Sequence, residues 1–395
     1  MRSHRSFAST PTGSRGWFSA GSALRFAVVL PLLVNTVWML IHPLPLQDFA
    51  GYWAAARLFL THHNPYSSDA LLSLERAQGW GHPHPLVMLC PPWVLTILSP
   101  FGALSYHAAR IAWFVVSLLL DAASAILLGQ YFGGTRRAAL LALVIFGTFA
   151  PLGTSEYLGQ FTPLILFSLA VFLTFLRRDR PSLAGIALLG LTIKPHLLWL
   201  MLLAILCWSL RERRFRLLVS GSITVGLTLL VAVVTNGATV HYLHNAYGPA
   251  MDTMCGVGGA LRLAFGAQHT WLQYVPCLAG AVWFVWYWRR HGQHWDWPKH
   301  LPLLLIVSIV SAPYCWFHDY ILALPAFVAL AVRGGWRSPL TLVGWVIVQM
   351  LILAPHDKAL ESLMSVLWIG FWLLASEEIS HIDSKATVSE VVLAA

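Results

Sequence analysis

The chain has 395 residues, of which 57% are hydrophobic and only 10% are Asp, Glu, Lys or Arg, and its formal charge is +9. An ordinary soluble domain carries about 25% charged residues, so a mean hydropathy of +0.67 argues against a soluble enzyme of several domains. No basic stripe interleaved with aromatics accompanies the positive charge, which leaves nucleic acid out as a partner.

In chain order, residues 1–23 are polar, rich in Ser, Gly and Arg, and read as a cytoplasmic N-terminal tail. The apolar run 24–41 lacks a small-residue cleavage site and reads as a retained first helix. A bilayer core takes about 20 helical residues. Further candidate spans are 107–130, 138–151, 160–176, 183–193, 196–209, 216–235, 271–288, 300–312, 320–332, 339–353 and 361–375. The expected fold is therefore all-α: a polytopic transmembrane helix bundle of about 12 spans over residues 24–376, with a cytoplasmic tail at 377–395. Residues 196–209 are separated from 183–193 at Lys194-Pro195, because proline lacks a donor and clashes with the preceding turn.

Arg clusters orient these spans, since cytoplasmic loops carry the excess of Lys and Arg. Arg2/Arg5/Arg15, Arg136/Arg137, Arg177/Arg178/Arg180, Arg211/Arg213/Arg214/Arg216, Arg289/Arg290 and Arg333/Arg337 fall on the inner side. That alternation leaves 88–104 unable to cross simply. Either it is re-entrant or lies in the outer interface, interrupted by Pro91-Pro92 and Ser99-Pro100-Phe101-Gly102, or Arg136/Arg137 face outward. The polar stretches, including outer loops 42–87 and 236–270, then collect on the extracytoplasmic side.

The five cysteines have no CxxC spacing and read as single membrane or core thiols. His62, His63, His82 and His84 lack HExxH spacing, and His82-Pro83-His84 reads as a structural loop, so no metal and no cofactor is expected. Asp48 follows the first apolar run; it either caps an amphipathic juxtamembrane helix at 49–60 or accepts a proton from a substrate hydroxyl. Lys194 interrupts an apolar pattern, where a charge is expensive, and either snorkels to the interface or meets a lipid phosphate. His318, in His318-Asp319-Tyr320, either exchanges a proton or belongs to a local hydrogen-bond cluster. Arg262 is a lone outer-side cation in a Gly-rich stretch that lacks the Gly-Lys-Ser/Thr ending of a nucleotide loop. Gln160 opens an outward helix end with an amide.

Taken in order, these residues resemble the GT-C superfamily of membrane glycosyltransferases, and within it glycosyltransferase family 87. The resemblance rests on Asp48 with Tyr52-Trp53 and Ala54-Ala55-Ala56, then Asn64-Pro65-Tyr66 and Pro91-Pro92. It continues through Gly159-Gln160, Gly190-Leu191 with Lys194-Pro195, and His318-Asp319-Tyr320. Where the family usually has Tyr before the Pro-Pro pair and Asn two places after the Gln, this chain has Cys90 and Thr162. The resemblance implies inverting transfer of a sugar, mannose favoured, from a polyprenyl-phosphate donor to a lipid-linked or glycan acceptor. It implies membrane lipids as surroundings, with the active site on the extracytoplasmic face of a bacterial inner membrane. By the same likeness Asp48 is expected as the general base or as the residue that positions the acceptor, and His318 is expected near the donor phosphate or in proton transfer. On electrostatic grounds Lys194 and Arg262 are the cations expected to neutralise phosphate, with Gln160, Tyr52, Tyr66, Asp319 and Tyr320 as further substrate-side residues. A transporter or flippase of polyprenyl-linked lipid is the competing class. The enzyme reading requires Asp48, Lys194 and His318 to meet in one pocket.

Overall fold

The computed structural model describes residues 47–243 and 256–334. The spans expected at 24–41, 339–353 and 361–375, and both tails, lie outside the described residues. The described elements are helical. They begin with α1 (Gln47–Leu60), α2 (Ser68–Arg76), α3 (Trp93–Gly102), α4 (Tyr106–Gly133), α5 (Arg136–Gly147) and α6 (Ala150–Leu158). Then come α7 (Thr162–Arg177), α8 (Pro181–Ile186), α9 (Leu188–Leu191), α10 (Trp199–Arg211) and α11 (Phe215–Thr235). The series ends with α12 (Val257–Phe265), α13 (Val275–His291), α14 (Trp297–Val310) and α15 (Leu324–Gly334), with a 3-10 turn at Phe317–Ala323 before α15.

The twelve-span bundle is corrected by these lengths. Among the described residues only α4 and α11 are long and apolar enough to cross a membrane; α5 and α6 would make a third span, but they bend by 63° at their junction. The other apolar runs form short helices, such as α7 with 16 residues, which is roughly 24 Å against a hydrocarbon core of about 30 Å. The segment 88–104 yields only the ten-residue α3, and the break that qualifies as a bent span lies between α5 and α6 instead.

The physical reason is that hydropathy does not distinguish a side chain facing lipid from one facing protein. Every residue from His318 to Ala331 is buried within the protein, whereas α11 leaves Val219, Ile223, Leu227 and Leu230 exposed. Helix α1 departs from expectation in the same way. It is not an amphipathic surface helix, because Phe49, Ala54, Ala55 and Ala56 are completely buried.

Aromatic packing fixes the end of the fold where α1, α3, α4 and the start of α7 converge. Trp113 of α4 stacks on Phe49 at 5.3 Å and meets Phe101 and Phe161 edge-on at 5.1 and 5.4 Å. Such pairs add about 0.5–1.5 kcal/mol each beyond the area they bury. A Cβ at Gly51 would stand 2.5 Å from the Leu86 carbonyl oxygen, so only glycine lets the strand of chain after α2 lie directly on α1.

Candidate functional site

The break between α9 and α10 places Lys194. Thr192 caps α9, Pro195 stops the helix from resuming, and α10 begins at Trp199. Ser308 of α14 holds the far side of the break: its hydroxyl donates to the Leu197 carbonyl at 2.9 Å and accepts the Leu200 N–H at 3.2 Å. The Lys194 side chain, 7% exposed, is thereby directed inward.

Gln160 arrives from another direction. Gly159 ends α6 with φ of 74°, a left-handed conformation that suits glycine, and its carbonyl accepts the Trp113 indole N–H at 3.1 Å. The Gln160 Oε1 accepts from Lys194 Nζ at 2.9 Å and from the Tyr52 hydroxyl at 3.2 Å. Its Nε2 donates to Asp48 Oδ2. Two donors on one side and a carboxylate on the other leave the amide a single orientation.

Asp48 lies in the first turn of α1, where the helix dipole favours a negative charge. On the other side of Lys194, Nζ donates to Asp319 Oδ1 at 2.7 Å, and Asp319 Oδ2 accepts the Trp316 N–H at 3.0 Å. A continuous polar chain therefore runs Asp48–Gln160–Lys194–Asp319–Trp316. The Trp316 ring also faces the ammonium at 5.8 Å.

The two carboxylates of this chain are tuned differently. Burial pushes Asp48 up to about 6, against the opposing pull of Lys194 and Gln160. Burial also raises Asp319, but Lys194, His318 and the Trp316 N–H outweigh it and hold that carboxyl below its ordinary value. Asp319 is thus held ionised beside Lys194, and Asp48 is the carboxyl of the two that takes up a proton more readily. With Asp48 ionised and His318 neutral, Asp48, Lys194 and Asp319 carry one net negative charge.

His318 is the second residue of the 3-10 turn, with its Nε2 3.7 Å from Asp319 Oδ1. Burial lowers it to about 4, so the ring is neutral at pH 7. Neither ring nitrogen has a hydrogen-bond partner among the described residues. Both nitrogens are themselves buried.

These groups face a cavity of about 840 Å³ whose lining includes Asp48, Tyr52, Gln160, Lys194 and His318. That size lies within the range of about 300–1,000 Å³ common for ligand sites. Much of the strap 84–91 lines it too. Glu75 of α2 clasps that strap, both carboxylate oxygens accepting the Leu86 N–H at 3.2 and 3.0 Å. The Trp80 indole donates to the His84 carbonyl at 2.8 Å.

The remaining sequence candidates sit elsewhere. Tyr66 is buried behind the lining, its ring 5.6 Å from that of Tyr242, which does face the cavity. Tyr320 is buried next to Cys315, whose thiol lies 3.8 Å from the hydroxyl. Arg262 is not brought to the cavity: its guanidinium donates to the Ala267 carbonyl and to Gln273 Oε1 at 2.8 Å, holding the turn after α12. Among the described residues no group of three His, Cys, Asp or Glu side chains is placed to hold a metal ion.

Three contributors were not singled out from sequence. His196 lines the cavity with its ring stacked 4.1 Å from Tyr314, and its Nε2 has no partner among the described residues. Its adjacency to Lys194-Pro195 was the available signal. Trp316 and Glu75 had none, because their roles depend on contacts with distant residues.

No curated protein and no solved structure matches the chain. Residues 88–355 match the model of glycosyltransferase family 87. That stretch carries Gln160, Lys194, His196, His318 and Asp319, while Asp48 precedes it. As the match spans more than half of the sequence, the chain belongs to glycosyltransferase family 87, within the GT-C superfamily.

Proposed function

We propose that this glycosyltransferase moves a sugar, mannose favoured, from a polyprenyl-phosphate donor to a hydroxyl of a lipid-linked or glycan acceptor, with inversion at the anomeric carbon. The reaction takes place at the extracytoplasmic face of a bacterial inner membrane. The observation that carries this reading is one hydrogen-bonded chain, Asp48–Gln160–Lys194–Asp319, whose first three members line a single cavity together with His318.

Asp48 takes the proton of the acceptor hydroxyl as its oxygen bonds to the anomeric carbon. The bond from that carbon to the donor phosphate oxygen breaks, and polyprenyl phosphate leaves with the electron pair. A base raised to about 6 is mostly ionised at pH 7 and still close enough in pKa to transfer protons efficiently. Gln160 aims the carboxylate, and Tyr52 holds Gln160.

Lys194 has three ammonium donors, of which two go to Gln160 and Asp319. Its role toward the donor is to present the third to a phosphate oxygen from a fixed position, as part of a preorganised electrostatic site. His318 is neutral until an anion arrives. A phosphate beside it raises its affinity for a proton, so donor binding draws a proton into the site and offsets the negative charge that develops on the leaving group. Arg262 has no part in this assignment, because it does not line the cavity and instead bonds Ala267 and Gln273.

Incubating the purified full chain with labelled polyprenyl-phosphate sugars and an acceptor panel tests the reading. Glycosylated product with released polyprenyl phosphate is the expected result. Labelled lipid that crosses vesicles unchanged, with no product, would replace the transferase with a transporter.

A further inference from the structure

A second cavity, of about 810 Å³, lies where the C-terminal ends of α4 and α7 meet the start of α5. Its lining divides by chemistry. Ile126, Leu140 and Leu143 form an apolar wall, and Arg136, Arg177 and Arg178 form a cationic rim. No acidic side chain belongs to the lining.

The three arginines are not equivalent. Arg177 donates to the Gln130 and Tyr131 carbonyls at 3.3 and 3.0 Å, covering the end of α4. Arg136 and Arg178 are exposed and form no ion pair among the described residues. The nearby carboxylate of Asp179 is engaged with Arg214. Arg136 is also the first residue of α5, whose N-cap Thr135 accepts the Ala138 N–H at 3.1 Å. The unsatisfied N–H groups of that first turn add positive potential to the rim.

We infer that this groove binds the phosphate headgroup of an anionic phospholipid, with one acyl chain lying along the Ile126–Leu140–Leu143 wall. Arginine forks match phosphate oxygens in pairs. The apolar wall favours a lipid over free phosphate, and it continues into the exposed face of α4, where Leu119 is 65% exposed. The depth also agrees. Trp113, bonded to Gly159 beside Gln160, marks the level of the first cavity, and Tyr131 marks the groove. The eighteen residue steps from one to the other along α4 span about 27 Å, close to the hydrocarbon thickness of about 30 Å. The arginines therefore stand where headgroups of the opposite leaflet lie.

Native mass spectrometry of the purified full chain with equal amounts of dioleoyl phosphatidylglycerol and dioleoyl phosphatidylcholine tests this inference. The expected result is about tenfold preferential retention of phosphatidylglycerol, lost in Arg136→Glu/Arg178→Glu and kept in Arg289→Glu/Arg290→Glu, which makes the same charge change on α13. Equal loss in both variants, or no loss in the first, overturns the site. So does displacement of the lipid from the unaltered chain by an equal concentration of inorganic phosphate, since the apolar wall would then contribute nothing. If the Glu variant does not fold, Arg136→Gln/Arg178→Gln carries the same expectation.

Discussion

The two cavities are nearly equal in volume, about 840 and 810 Å³, but they hold charge in opposite ways. Around the first, Lys194 and Asp319 are buried and joined to each other, to Gln160 and through it to Asp48. Around the second, Arg136 and Arg178 stand exposed and without acidic partners among the described residues. A buried charge must be paired and hydrogen-bonded to be tolerated, so the first arrangement is rigid and specific in geometry. An exposed guanidinium is solvated and remains adaptable, which suits a soft, replaceable ligand such as a lipid headgroup. Chemistry at a reacting carbon needs the first kind of site, and anchoring needs only the second.

Breaking the first region should have large effects. Asp48→Asn keeps the size of the side chain but removes the base, so transfer should fall by about 10²–10⁴-fold while donor binding and the melting temperature hold. Purified Asp48→Asn enzyme with full activity would remove Asp48 from the mechanism. Lys194→Ala leaves Asp319, 0% exposed, as an unpaired buried charge, and should cost about 3–5 kcal/mol in thermal unfolding. Lys194→Ala/Asp319→Ala should regain most of that stability yet bind the polyprenyl-phosphate donor weakly. Unchanged donor affinity in the double variant would exclude Lys194 as a phosphate contact.

The pH profile sharpens the same contrast. Asp48 must be ionised to accept a proton, and burial raises it to about 6. kcat/KM, which reports the free enzyme, should therefore decline by about tenfold per unit as pH falls below about 6. His318, lowered to about 4 in the free protein, does not produce that limb before donor binds. An acid limb near 4 in kcat/KM would show that Asp48 is not the titrating group. The smallest expected effect belongs to the second region: Arg136→Glu/Arg178→Glu should shift stability by less than about 0.5 kcal/mol and leave transfer unchanged. A large loss of stability in a denaturation experiment would mean that these arginines hold the fold together.

The residues of the candidate site could be named from the sequence, but not all for the same reason. Lys194 stood out as a charge inside an apolar run, whereas Asp48 read equally as a helix cap, and Gln160 and Asp319 drew notice chiefly through the family resemblance. Their pairing was not visible. Nothing in the chain near Lys194 indicates that its charge is held by Asp319, 125 positions away, and Arg262 looked as available as Lys194 until its bonds to Ala267 and Gln273 were placed. The strap clasped by Glu75 was hidden for the same reason.

From the sequence alone one can read a helical, strongly apolar chain, the helix break at Lys194-Pro195 and the positions of its chemically capable residues. Those properties depend on neighbours along the backbone: side-chain periodicity, proline geometry and local charge. Which apolar helices face protein instead of lipid, and which charges meet, were decided by packing. A leucine has the same hydropathy in a bilayer or in a protein core, and an ion pair exists only once distant segments have been brought to within 3 Å.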